Sequence, residues 1–226
     1  MFPINIDFDN NEHFLEIAFC FPYSHKEMLK DIADIKSSYD NNSSIFFHHE
    51  VLSKSPEGLD IPIMTITSHD LKSEGCETYP VQEGQSTCKK FETRKPVIIL
   101  SSRVHPGETP CSHALNGCIK KLLNLNDRDS ILLRKIFVFK IIPSLNPDGV
   151  FHGHFRKDRY LQNLNRFYKK PNQQKQPSCY ALKILMDYYT DPHRVMIYTD
   201  FHAHSSTRNC FVYGNHCTFV RQVEAR

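Results

Sequence analysis

Two residues of the sequence are spaced as metal ligands, His105 and Glu108 in the segment RVHPGE. An imidazole nitrogen and a carboxylate oxygen three residues apart can converge on one ion, and these donors suit zinc. The spacing is a weak signal by itself, because His13 and Glu16 repeat it in a segment that we predict to be extended. His105 and Glu108 also have a purely structural explanation. His105 would be a loop histidine hydrogen-bonded to the backbone, and Glu108 would be an acidic residue that the dipole of the following helix stabilises.

A site of this kind needs a third protein ligand, and His202 is the candidate. It follows a predicted strand, Val195–Phe201, so parallel strands would bring it to the same sheet edge as His105. Two ligands close in sequence and a distant third leave a fourth position for water, as in catalytic zinc sites. His204 is the rival, because alternation in an extended segment puts positions 202 and 204 on one face. The structural alternative is a pair of histidines that end a strand in solvent.

Basic side chains follow another predicted strand, beyond the turn-forming sequence NPDG. A solvated basic loop is their structural alternative. Beside a metal ion, however, one guanidinium could stabilise an oxyanion and another could bind a carboxylate through two hydrogen bonds. The polar residues in question are Arg156, Lys157, Arg159, Asn165 and Arg166.

The predicted elements around these residues alternate between strand and helix. Apolar runs at 96–101 and 136–143 are typical of strands buried on both faces of a parallel sheet, and residues 195–201 are expected to form a third strand. Between them, Thr109 is the expected N-cap of one helix, and residues 180–189 are expected to form another. This alternation predicts an α/β fold whose functional site lies beyond the carboxyl ends of the strands.

The first part of the chain has its own signals. Ser24 and Glu27 form a capping box that predicts the start of a helix. Strands are expected at 45–52 and 61–67, and the polar segment 72–95 is expected to be a surface loop.

Composition excludes several classes of protein. The 226 residues are 40% hydrophobic and 23% charged, which argues against wholesale disorder. A net charge of +3 is too small to indicate a nucleic-acid or membrane-surface partner. The apolar stretches fall short of the roughly 20 residues of a membrane span. Eight cysteines without a C-x-x-C pair, and no secretory signal, predict reduced thiols in the cytosol.

The motifs RVHPGE, LNPDGV, NLNRFY and DFHAHS occur in the order and spacing of the zinc metallocarboxypeptidases, which the sequence resembles. FCFPYS, FFHHE, MTITS and CFVYGN extend the resemblance to the cytosolic carboxypeptidase branch, over residues 19–215. It implies a mixed, largely parallel sheet flanked by helices. It also implies that residues 1–22 end a β-rich N-terminal domain and that residues 23–226 form a carboxypeptidase domain lacking its C-terminal part.

The resemblance also implies a role for each candidate residue. His105, Glu108 and His202 would bind one Zn²⁺ per chain, and His204 would not be a ligand. Arg156 would polarise the scissile carbonyl as a catalytic and substrate-binding residue, while Asn165 and Arg166 would bind the substrate's terminal carboxylate. Members of this branch remove C-terminal or branch-point glutamates from proteins, including tubulin. The expected partners are therefore polyglutamylated protein tails in the cytosol, with association with microtubules.

One expected feature of the family is not recognisable. The family places its general base, a glutamate, in a Thr-Leu-Glu-like strand well beyond the third ligand, whereas Glu224 is the one glutamate after His202. We therefore expect a chain truncated at both ends and a poor peptidase by itself. A second hypothesis is a catalytically incomplete module that binds acidic protein tails. A third, an amidohydrolase of the related desuccinylase type, is disfavoured by the likeness to the cytosolic branch.

Overall fold

The computed structural model describes residues 18, 20–40, 42–69, 95–190, 195–207 and 209–214, and the backbone of 77–82 and 85–89. The strand predicted near the N-terminus, His13, Glu16 and Glu224 lie outside these residues. The helices are α1 His25–Tyr39, α2 Thr109–Leu122, α3 Arg128–Ile136, α4 Pro147–Phe151 and α5 Pro177–Thr190, with a 3₁₀ turn at Leu164–Arg166. The strands are β1 Ile45–Lys54, β2 Asp60–Ser68, β3 Glu77–Gln82, β4 Gln85–Lys89, β5 Val97–Ser102, β6 Val138–Ile142 and β7 Val195–Phe201.

Five of the strands form one mixed sheet in the order β1-β2-β6-β5-β7. The β1–β2 and β2–β6 pairs are antiparallel, whereas β5 pairs in parallel with both β6 and β7. The predicted mixed α/β fold is therefore confirmed. Because β5 and β7 are parallel neighbours, with Ser102 opposite Phe201, the segments that follow them begin at the same edge of the sheet.

Helices cover both faces of this sheet, because the central strands are apolar on both sides. Leu182 and Leu185 of α5 pack with Ile99 on one face. Leu115 and Ile119 of α2 pack on the other face, together with Met28 and Ile32 of α1. Burial of a large aliphatic side chain contributes about 1.5–3 kcal/mol, so these two layers stabilise the strand ends that carry the candidate site.

The capping box at α1 is confirmed: the Glu27 backbone N–H donates to Ser24 Oγ at 3.1 Å, and the Ser24 N–H donates to Glu27 Oε2 at 2.6 Å. The prediction of a loop over 72–95 is wrong in part, since β3 and β4 form an antiparallel hairpin there. The helix α3 had no prediction. Asp127 caps it by accepting the Ser130 N–H at 2.8 Å, a short polar signal that hydrophobic periodicity does not detect.

The five cysteines whose side chains are described form no disulfide with one another: Cys20, Cys111, Cys118, Cys179 and Cys210. Among the described residues, no helix combines the length and apolar character that a membrane span requires.

Candidate active site

The structure brings His105, Glu108 and His202 together at the carboxyl ends of β5 and β7. One potential ligand atom from each of the three lies within 4.8 Å of the others. The two imidazole rings have their centroids 5.0 Å apart. His105 is buried, with 2% of its surface exposed, whereas the His202 side chain is 33% exposed. The cluster therefore has a closed inner side and an open outer side.

Glu108 bridges the two histidines. His105 Nδ1 lies 2.8 Å from Glu108 Oε1, and His202 Nδ1 lies 2.9 Å from Oε2. The Ala203 N–H also donates to Oε2, at 2.9 Å. The prediction that Thr109 is the N-cap of α2 is wrong, because the helix begins at Thr109 and Glu108 occupies the cap position. The Glu108 carboxylate makes no capping hydrogen bond, because its oxygens face the histidines.

The outer nitrogen of each imidazole has an oxygen acceptor. His105 Nε2 lies 3.0 Å from Asn163 Oδ1, and His202 Nε2 lies 3.0 Å from Asp200 Oδ2. The Asn163 oxygen also accepts the Asn165 backbone N–H at 3.1 Å, which fixes the orientation of the amide. A neutral imidazole with an acceptor at Nε2 carries its proton there, so Nδ1 presents a lone pair. Both Nδ1 lone pairs are thus directed at the Glu108 carboxylate.

This arrangement fits a cation held among three acceptors. Without a cation, a proton on His202 Nδ1 would separate that lone pair from the carboxylate. Hydrogen bonds to Asp200 and Glu108 accordingly raise the pKa of His202 to about 9. Burial opposes ionisation of Glu108, but the hydrogen bonds from His105, His202 and the Ala203 N–H outweigh it and lower its pKa. Two imidazole nitrogens and one carboxylate, with outer acceptors, form a typical catalytic zinc donor set.

Arg156 lies beside this cluster, with Nη1 3.4 Å from Glu108 Oε1. Its side chain is 46% exposed and so can reach a ligand on the open side. Glu57, in the turn between β1 and β2, holds both ends of the loop that carries Arg156. It binds His152 Nε2 at 2.7 Å through Oε2 and Arg159 Nη1 at 2.9 Å through Oε1. Arg159 therefore has a structural partner, whereas Arg156 is directed at the cluster.

The 3₁₀ turn Leu164–Arg166 places Asn165 and Arg166 near the same cluster, because Asn163 directly before it contacts His105. Asn165 is half-buried and Arg166 is exposed. The Arg166 Nη1 donates only to the neighbouring Asn165 carbonyl, at 3.3 Å, among the contacts described. Its guanidinium thus retains donors for a carboxylate.

His204 is directed away from the cluster. Its Nδ1 accepts the Thr207 N–H at 2.9 Å, and its ring packs edge-on against Phe211. Asn163 and Asp200 are members of the site that sequence reasoning missed. Asp200 had an available signal, since it lies two residues before His202 and strand alternation puts both on one face. Asn163 had none, since its role depends on a loop that returns to β5.

Close packing at Gly107 positions the Arg156 loop. The Gly107 N–H donates to the Phe155 carbonyl at 2.8 Å, and a Cβ at Gly107 would lie 2.7 Å from that oxygen. We expect Gly107→Ala to push residue 155 outward and to lower the free energy of unfolding by about 1–3 kcal/mol. Urea denaturation measures this change. Gly117→Ala, in open space on α2, is the matched control and should raise stability by about 0.5–1 kcal/mol. Equal effects of the two substitutions would contradict the close contact.

Comparison with known proteins places the chain in a family. The family model for zinc carboxypeptidases matches residues 32–225. The chain belongs to the zinc carboxypeptidase family. It is 36% identical over 203 residues to cytosolic carboxypeptidase 6 of Caenorhabditis elegans, an alignment covering 89% of this chain and 39% of that protein. It is 38% identical over 184 residues to cytosolic carboxypeptidase-like protein 5 of Rattus norvegicus, covering 76% of this chain and 22% of that protein.

These relatives confirm the predicted resemblance to the cytosolic branch, and the chain spans about two fifths or less of their lengths. Solved structures show the same fold. A metallo-carboxypeptidase from Burkholderia cenocepacia matches with a TM-score of 0.61 at 21% identity, over 81% of this chain and 42% of that one. Carboxypeptidase A from Helicoverpa armigera matches with a TM-score of 0.54 at 18% identity, over 82% and 46%.

Proposed function

We propose that the protein is a zinc-dependent carboxypeptidase that removes C-terminal or branch-point glutamates from proteins such as tubulin. The observation that carries this proposal is the convergence of His105, Glu108 and His202 beside an exposed arginine, in a chain of the zinc carboxypeptidase family. Residues 23–226 would belong to the catalytic domain, and residues 1–22 would end a preceding β-rich domain.

The three clustered residues would hold one zinc ion, which supplies Lewis-acid activation of water and of a carbonyl group. The protein residues provide orientation and charge. Arg156 would donate to the oxyanion that forms at the scissile carbonyl, since it already lies on the open side of the cluster. Asn165 and Arg166 would bind the terminal carboxylate of the substrate and so fix which peptide bond reaches the site.

Glutamate-rich substrates fit the charges of this edge. Arg156 and Arg166 both expose guanidinium groups, which bind carboxylates through two parallel hydrogen bonds. The names of the relatives support a cytosolic setting. We therefore propose polyglutamylated protein tails as partners, with tubulin as the leading candidate and microtubules as the place of action.

Substrate binding can be measured apart from hydrolysis. Arg166→Lys keeps the charge but loses the planar donor pair, so a peptide ending in glutamate should bind more weakly by about 1–3 kcal/mol. Isothermal titration calorimetry with that peptide measures the loss. The control is Arg128→Lys, an exposed arginine at the start of α3, which should bind the peptide as the wild type does. Unchanged affinity in Arg166→Lys would remove this residue from the substrate site.

Hydrolysis distinguishes the proposed enzyme from a module that only binds acidic tails. The protein expressed from its complete coding sequence, here called the full-length protein, should release free glutamate from a polyglutamylated peptide. Removal of the metal with a chelator should stop this release until zinc is restored. Tight binding of the same peptide without any glutamate release by the zinc-loaded protein would overturn the proposed activity and favour the binding module.

A further inference from the structure

Asp200, near the end of β7, is the centre of a polar cluster behind His202. Its Oδ2 lies 3.0 Å from His202 Nε2 and accepts a hydrogen bond from the Tyr168 hydroxyl at 2.7 Å. Its Oδ1 accepts the Ser101 hydroxyl at 2.7 Å. Both oxygens of this largely buried carboxylate are therefore held in place by neighbouring donors.

The direction of each hydrogen bond follows from donor counting. An ionised carboxylate only accepts, so all three partners must donate to Asp200. Ser101 has one hydroxyl proton and gives it to Asp200. The Tyr198 hydroxyl, 2.9 Å from Ser101 Oγ, must then donate to Ser101. The donor chain runs from Tyr198 through Ser101 to Asp200, with Tyr168 and His202 converging on the same carboxylate.

This network determines which nitrogen of His202 is available for a metal. Donation from Nε2 to Asp200 places the proton of the neutral ring on Nε2 and leaves Nδ1 as the lone-pair donor. Nδ1 is the atom that faces Glu108, at 2.9 Å. A ring free to rotate or to change tautomer would present a protonated nitrogen to the ion for part of the time. His202 needs such restraint because its side chain is 33% exposed.

Tyr168 connects the network to the proposed substrate site. It lies two residues after Arg166 and joins the segment following the 3₁₀ turn to β7 through Asp200. Its ring packs edge-on against Tyr198, with centroids 6.4 Å apart. The Tyr168 hydroxyl thus joins the carboxylate behind His202 to the chain segment that directly follows Asn165 and Arg166.

We propose that Asp200 is a positioning residue that fixes the Nε2–H form and the orientation of His202, and that Tyr168 holds Asp200 in this role. The inference rests on the proposed function, because it requires His202 to bind zinc. Outer acceptors of metal-binding histidines typically change metal affinity by about 10–100-fold when removed.

The first test measures zinc affinity by competition with a chromophoric chelator. Asp200→Ala should lose about 10–100-fold in zinc affinity, and Asp200→Asn, which keeps an acceptor oxygen, should lose less. Tyr168→Phe removes one hydroxyl with little change of shape and should give a smaller loss. If Asp200→Ala fails to fold, the zinc affinity of Tyr168→Phe still tests the proposal. Asp187→Ala, an exposed aspartate of α5 paired with Lys183, is the matched control and should bind zinc normally.

The second test uses a signal that a purely structural role would not change. In ¹⁵N-labelled, zinc-loaded wild-type protein, NMR should detect His202 with a proton on Nε2 that exchanges slowly with water. In Asp200→Ala that proton should exchange too fast to be observed, while urea unfolding of the metal-free variant still shows a folded protein. Zinc affinity and a His202 signal unchanged in every Asp200 and Tyr168 variant would overturn the positioning role alone. A wild-type protein that binds no zinc would overturn both the proposed metal site and this role.

Discussion

His202→Ala is expected to lower bound zinc from about one ion per chain to almost none, whereas His204→Ala should retain the full amount. Substitution at 202 removes one of three converging donors and leaves His105 and Glu108, which cannot complete a tetrahedral site. His204 has no described contact with the cluster and binds the backbone of Thr207 instead. Elemental analysis of the purified proteins after dialysis against trace zinc measures the difference.

The His204→Ala variant is a well-matched control for His202→Ala, because the two histidines are two residues apart and both exposed. General effects of losing an imidazole from this segment would affect both variants alike. Equal zinc content in His202→Ala and the wild type would refute the ligand assignment. Loss of zinc in His204→Ala alone would transfer the role of third ligand to His204.

Arg156→Ala is expected to lower kcat for glutamate release by about 10²–10³-fold in the full-length protein, with a smaller change in KM. Removal of one preformed donor to a developing oxyanion has this size of effect, because the interaction is strongest in the transition state. Steady-state kinetics with a glutamate-ended peptide provide both constants. Zinc content should stay near one ion per chain, since Arg156 only flanks the proposed ligand Glu108 at 3.4 Å.

Lys157→Ala is the matched control for this measurement. Lys157 is the next residue in the same loop and is equally exposed, so its loss removes a positive charge without removing the donor beside Glu108. It should retain kcat within a few-fold of the wild type. A similar fall in both variants would mean that the loop contributes general positive charge, and that Arg156 has no specific role at the oxyanion.

Local sequence predicted those parts of the fold that depend on neighbours along the chain. The capping box at Ser24, the buried strands β5 and β6 and the edge strand β7 were predicted because caps and apolar runs act within a few residues. Where the signal was polar and short, prediction failed. The helix α3 and the hairpin of β3 and β4 lie in polar stretches whose hydrophobic pattern gives little indication of an element.

The candidate site divides in the same way. The spacing of His105 and Glu108 was a weak signal by itself, since His13 and Glu16 share it. The position of the first pair, between a predicted strand end and a predicted helix start, is what indicated a metal-binding pair. Residue spacing did not choose between His202 and His204, since strand alternation treats them alike; the family resemblance favoured His202. The structure separates them: β7 ends at Phe201, so His202 faces Glu108, while the chain beyond turns His204 toward Thr207.

By itself, the sequence determined the residue types of the site and the strands that end beside it. Only the tertiary structure placed Asn163 and Asp200 within hydrogen-bond distance of the histidines and Glu57 against His152 and Arg159, which flank Arg156. The reason is physical. Hydrophobic periodicity and capping are set by contacts within a few residues, whereas the pairing of β5 with β7 and the return of the 3₁₀ turn to His105 join segments 58 to about 100 residues apart.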